Sequence, residues 1–158
     1  GPDREGRMYP LWMAAFLAAL LALTGMVWEP MGRSDLRSTG SADAVASALG
    51  MYHAAAEIWA AQTPGTTGDV PSHALALPLT WRSMGGIRSY RSGAYLATWY
   101  GGSAYPATAV SLALSKRTGY ELGVGVATGG WVAAPRGTVM PVPSVVPEGA
   151  AVKVTKLY

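Results

Sequence analysis

Acid–base or metal chemistry in this 158-residue chain would have to come from two histidines, His53 and His73, and nine acidic residues. General acid–base catalysis needs an imidazole or carboxylate within hydrogen-bond reach of the reacting group, and a metal site needs several such ligands at fixed spacing. His53 falls in the middle of a helical stretch beside its apolar stripe, and His73 follows Pro71 in a loop. Neither has a second histidine at helical spacing, so each reads as a surface or satisfied-core side chain. Glu29, Asp35, Asp43, Glu57, Asp69, Glu121 and Glu148 follow the first apolar stretch, and no two are spaced to suggest a carboxylate pair. The chain has no cysteine, which removes disulfides, thiol nucleophiles and Cys-ligated zinc. Ser103 is not on a nucleophile elbow, because Tyr105 stands where that turn needs glycine. Gly123-Val124-Gly125 lacks the third glycine of a dinucleotide turn and reads as close packing or a bulge. These patterns predict no catalytic residue, no cofactor and no metal ligand.

The strongest local charge bias is Arg82, Arg88 and Arg91. Arginines on a hairpin edge discourage edge-to-edge aggregation, which is one reading. The other is contact with an acidic partner or anionic lipid headgroups. Trp81, Tyr90, Tyr95, Trp99 and Tyr100 share the region, and exposed aromatics favour protein contacts. Strand alternation puts Tyr95, Ala97 and Trp99 on one face, and Leu96 and Tyr100 on the other. A net charge of +3 is too small to argue for nucleic acid.

The elements that position these residues begin with an uncharged apolar run, residues 8–28. At about 1.5 Å per residue a helix of this length spans roughly 30 Å, the thickness of a bilayer core. Trp12 and Trp28 sit near its ends, where aromatic rings favour the lipid–water interface. A cleaved secretory signal is the competing reading, but the run is long and no clear Ala-x-Ala step follows it. A pilin-type leader would need a glycine directly before the run and a glutamate near its fifth position, and neither is present. Residues 1–7 read as a tail or tag remnant. Arg4 and Arg7 precede the run, and Arg33 and Arg37 follow it, so positive-inside counting is tied.

Pro30 and Gly32 break the run, and residues 29–40 read as a linker. The rest, 41–158, is expected to form one α+β domain with its sheet part over 74–158. Ser41 can cap a long helix over 41–62 whose apolar positions Ala42, Val45, Leu49, Tyr52, Ala56 and Trp59 recur every three or four residues. That stripe either packs on its own domain or makes a coiled-coil-like contact, so Leu49, Tyr52, Trp59, Arg82, Arg88, Arg91 and Trp99 are the candidate partner-contact residues. Ile87–Arg91 and Ala94–Tyr100 read as a hairpin across Ser92-Gly93. Pro106 opens a short helix that Gly119 ends. Glu121–Ala127 and Trp131–Ala134 form a second hairpin, proline keeps 137–149 irregular, and Ala150–Leu157 alternates like a half-buried last strand. The predicted architecture is an N-terminal transmembrane helix, a long helix, then a small antiparallel sheet with one packed helix, a pilin-like outline.

The ordered strings Ala48-Leu49-Gly50-Met51-Tyr52-His53-Ala54-Ala55-Ala56, Ala60-Ala61-Gln62-Thr63-Pro64-Gly65-Thr66-Thr67-Gly68-Asp69-Val70 and Ala74-Leu75-Ala76-Leu77-Pro78 carry a further signal. So do Ser92-Gly93-Ala94-Tyr95-Leu96, Ser115-Lys116-Arg117-Thr118-Gly119, Leu122-Gly123-Val124-Gly125 and Val145-Val146-Pro147-Glu148-Gly149-Ala150-Ala151-Val152. In order and spacing they resemble the short PilM family of type IVb, conjugative thin-pilus biogenesis proteins, across nearly the whole chain from Met8. The larger actin-like cytoplasmic protein that shares the name is a different one. The resemblance implies a single-pass protein of the bacterial inner membrane with its C-terminal domain in the periplasm. It implies a non-enzymatic part in assembling or anchoring a type IV pilus, through contacts with other pilus assembly proteins or pilin. A homo-oligomer fits the same expectation. It brings no catalytic residues, and the alternative reading is a minor pilin or pilin-like subunit of the filament.

Overall fold

The computed structural model describes residues 41–81, 83–137 and 140–158. The expected membrane segment, its linker and Arg82 lie outside the described residues. Among the described residues no helix is long and apolar enough to cross a membrane.

Residues 41–62 are helical and form α1. The three-and-four spacing puts Val45, Leu49, Tyr52 and Ala56 on one side, and all four are buried. The helix ends where the sequence predicts, with the N–H and the hydroxyl of Thr63 both donating to the Trp59 carbonyl, at 3.0 and 2.7 Å. Strands β2 (Ile87–Ser92) and β3 (Tyr95–Tyr100) pair as the predicted hairpin, following a short edge strand, β1 (Gly68–Asp69). Their turn is Gly93-Ala94, and φ of 57° at Gly93 is the positive value a type II′ turn needs at its first central residue.

Helix α2 covers Ala107–Arg117. Pro106 stands one place before its first residue, rather than on it, and its carbonyl accepts the N–H groups of Ala109 and Val110. Gly119 closes α2 with φ of 67°. The Tyr120 N–H reaches the Ser115 carbonyl at 2.7 Å and the Gly119 N–H reaches Lys116 at 3.5 Å, the paired bonds of a Schellman end. Strands β4 (Val124–Thr128) and β5 (Trp131–Ala133) close across Gly129-Gly130, both at positive φ, and β6 (Ala151–Lys156) follows.

The six strands form one sheet in the order β1-β2-β3-β6-β4-β5, with every neighbour antiparallel. The last strand in the chain is therefore central. Lys153, which alternates with Val152 and Val154, has its side chain only 18 % exposed and lies 3.5 Å from Glu121. Register sets Ile87, Ser89 and Arg91 on one face with Leu96, Thr98 and Tyr100, and with Ala151, Lys153 and Thr155. Both helices pack on that face, which corrects the expectation of a single packed helix. Ala42, Val45 and Leu49 of α1 meet Val110 and Leu114 of α2 over Tyr100, Val124 and Ala151. Tyr52, Ala55 and Ala56 continue over Leu96, Val70 and Leu75. The opposite face carries Ala97, Trp99, Val152 and Val154, covered by Val142 and Val146 of the proline-rich segment.

Gly123 and Gly125 are close-packing positions. A Cβ on Gly123 would strike the Val154 carbonyl, and one on Gly125 the Ala133 carbonyl. Ser115 on α2 is fully buried, and among the described residues its hydroxyl has no hydrogen-bond partner. An unpaired buried hydroxyl costs stability and alanine is the better helix former. Ser115→Ala is therefore expected to stabilise the protein by about 1 kcal/mol in a urea titration, with the slope unchanged.

Candidate functional site

One cluster of chemistry-bearing groups lies beneath α1. His53, on the sheet-facing side of the helix, is fully buried. Its Nδ1 lies 2.8 Å from Oγ1 of Thr98 on β3, and its Nε2 lies 2.8 Å from Oγ1 of Thr155 on β6. One turn along α1, Oε1 of Glu57 is 3.2 Å from the same Nε2. Beyond Thr98, the Ser89 hydroxyl on β2 is 2.5 Å away. The cluster thus spans α1 and three adjacent strands.

Burial pushes the His53 imidazole below its ordinary value, against the smaller opposing pull of Glu57. Glu57 is held down to about 2, chiefly by the hydrogen bond from His53. Thr98, His53 and Glu57 stand in the order hydroxyl, imidazole, carboxylate, which is the order of a nucleophile, its base and the orienting acid. Thr98 and His53 have no exposed surface, however, so no substrate reaches the hydroxyl in this conformation. The arrangement supplies a satisfied polar core. Among the described residues, no group of His, Asp and Glu is placed to hold a metal ion.

The candidate contact residues divide by burial. Leu49, Tyr52 and Trp99 are buried in the three apolar clusters, and Trp59 packs half-buried against the cluster that holds Tyr52. Burial also raises the Tyr52 phenol, partly opposed by the charge of Arg88. Arg91, read as a surface cation, is 4 % exposed. It faces α1 because the three-residue spacing from Arg88 puts the two on opposite faces of β2. Its Nη1 donates to the carbonyls of Ala60 and Thr63 at 3.0 and 2.9 Å, so a cation closes the negative end of α1. In this fold these buried groups hold the domain together and do not form its surface. Arg88 is exposed, 3.2 Å from Asp69, with its guanidinium 5.9 Å from the Trp99 ring centre. Such an exposed pair adds little to stability. Arg82 lies outside the described residues, and His73 is exposed in the short turn Ser72–Ala74.

Thr98, Thr155 and Ser89 were not singled out by the sequence. The signal available was weak: Thr98 alternates with Leu96 and Tyr100, so a hydroxyl was due on an otherwise apolar inward face. The exposed large apolar side chains include Ile58 on α1, Leu112 on α2 and Trp131 on β5. Leu112 lines a shallow groove of about 190 Å³ between the helices, together with Ala42, Asp43, Ala109, Ala113 and Lys116.

These features define a small two-layer α+β domain, with both helices on one face of a six-stranded antiparallel sheet and a sealed polar seam between the layers. The chain belongs to the PilM family, whose model matches residues 17–154. It is thus a pilus-related protein, in agreement with the resemblance of its ordered strings. Its fold is similar to the crystal structure of a PilM protein from Escherichia coli B7A, with a TM-score of 0.53 and 16 % identity over 79 % of this chain and 96 % of that one. A PilM protein from Pseudomonas aeruginosa 2192 is 26 % identical over 73 % of this chain and 93 % of that one, with a TM-score of 0.44. A search of the curated proteins finds no match.

Proposed function

We propose that this protein is a non-enzymatic, single-pass inner-membrane component of a type IVb pilus biogenesis apparatus. Its domain acts in the periplasm, through contacts with pilus assembly proteins or pilin. The PilM match, which begins inside the apolar run and continues to residue 154, carries the reading. The length and charge-free composition of residues 8–28 support the anchor. The contact surface is drawn from side chains the fold leaves outside, namely Ile58, Arg88, Leu112 and Trp131.

The test is crosslinking in cells that express the whole pilus gene set. A photoreactive residue replaces Ile58, Arg88, Leu112 and Trp131 in turn, with buried Leu49 as the control site. Adducts to inner-membrane pilus proteins from at least one exposed site, and none from Leu49, are the expected result. Adducts mainly to pilin that persist in sheared filaments would instead make this chain a filament subunit. Loss of all pilus adducts would remove the contact reading.

A further inference from the structure

Around Val45, Leu49 and Tyr52, much of the inward face of α1 is made of small side chains. Ala42, Ala46, Ala55, Ala56 and Ala60 are all buried. Where alanine makes the contact the ridges are shallow and add little to the register that Leu49 and Tyr52 set. Three polar fasteners supply what the alanines lack. The indole N–H of Trp81 donates to the Ala48 carbonyl at 3.2 Å. Arg91 donates to the Ala60 and Thr63 carbonyls. His53 lies between them. The outer two use permanent donors on backbone oxygens, and only the middle one can change protonation state in ordinary buffers.

The Glu57 carboxylate can only accept, so a neutral ring paired with it carries its proton on Nε2, and the other directions follow from that. The Ser89 hydroxyl donates to Thr98, the Thr98 hydroxyl to Nδ1 of His53, and the Nε2–H to the Glu57 carboxylate and the Thr155 oxygen. The chain runs one way and satisfies each of these donors when His53 is neutral with its proton on Nε2. A second proton, on Nδ1, forces Thr98 to turn its hydrogen toward Ser89. The Ser89 hydrogen, on a residue 2 % exposed, is then left without an acceptor in the network. The charged groups that face His53 are Glu57 from α1, Lys153 from β6 and Glu121 from the segment before β4. Lys153 is itself paired with Glu121, and β2 and β3 offer the imidazole hydroxyls alone.

We propose that the chain Ser89–Thr98–His53–Glu57 is an acid-release latch for α1. With His53 neutral it seats the helix in one register on the sheet. With His53 charged, α1 lifts from β3 and β6 while the strands stay paired. The outer fasteners then act as hinges that slow, but do not stop, the release.

The full chain would be followed by amide hydrogen exchange at about pH 7.5 and about pH 5, corrected for intrinsic rates, comparing residues 50–62 with β3 and β6. The expected result is an acid-induced gain in α1 at least ~10-fold larger than in the strands, since one pKa unit of differential protonation is tenfold in an opening equilibrium. His53→Gln, which donates and accepts without titrating, is expected to remove that excess. Ring nitrogen shifts of the wild-type protein near neutral pH are expected to show the Nε2–H tautomer, and to titrate together with the opening. Parallel opening of helix and strands, an excess that survives in His53→Gln, or an Nδ1–H tautomer would each overturn the proposal. The tautomer and the wild-type comparison decide it even if the glutamine variant fails to fold.

Discussion

Leu49→Ala is expected to cost about 3 kcal/mol of folding stability, within the range for emptying a buried leucine site. The side chain is fully buried where the two helices meet the sheet, among Tyr100, Val110, Leu114, Val124 and Ala151. Its helical neighbours on that face, Ala42, Val45 and Ala46, are too small to fill the space it leaves. For a domain of this size the loss corresponds to a fall in Tm of about 10 °C. Thermal unfolding of the full chain, followed by circular dichroism, measures it. Ile58→Ala on the same helix is the contrast, because that side chain is 56 % exposed and an exposed substitution shifts stability by about 0.5 kcal/mol or less. If Leu49 served a partner contact instead, its variant would melt like the Ile58 one and lose association.

Stability is expected to fall on acidification in two stages. Burial lowers the folded-state pKa of His53 below its ordinary 6.5. Above that value both states carry a neutral ring and the burial has no pH-linked cost. Below it the unfolded chain takes up a proton that the folded chain refuses, so stability drops with a slope approaching about 1.4 kcal/mol per pH unit until the folded ring titrates. Glu57 acts lower on the scale. Its folded value of about 2 against an ordinary 4.5 gives stability that is fully present above 4.5 and is lost as pH falls from 4.5 to about 2. The whole shift would be worth about 3 kcal/mol. Solvent at a carboxylate with 39 % of its side chain exposed reduces this to about 1–2 kcal/mol. Urea titrations from neutral pH to about pH 3 follow both stages. His53→Gln is expected to abolish the upper one and to shrink the lower, because the imidazole is the chief group holding Glu57 down. An upper stage unchanged in that variant would mean that another group sets it.

The local devices were legible because each is written in a few adjacent residues. The apolar spacing of α1, the Gly93 and Gly129-Gly130 turns, the glycine stop of α2 and the packing role of Gly123 and Gly125 follow from backbone sterics and periodicity alone. Strand β1 is two residues long and carries no period, so no local pattern marks it. Arg91 was read as surface because its alternation could be counted but the face that α1 would cover could not. Thr98, Ser89 and Thr155 were overlooked for the same reason. They lie 9 to 102 positions from the groups they bond, and no local pattern records such a pairing.

By itself the sequence determined the helix and hairpin order, the absence of cysteine chemistry, the apolar run outside the described residues and the likeness to the PilM family. These depend on composition, period and the order of short strings, all of which survive without a fold. Only the tertiary structure decided that β6 is central, that both helices share one face, and that His53 is locked between two strands instead of standing at the surface. Each depends on which distant segments pair. That choice is made by burying a whole face at once, not by any stretch of chain alone.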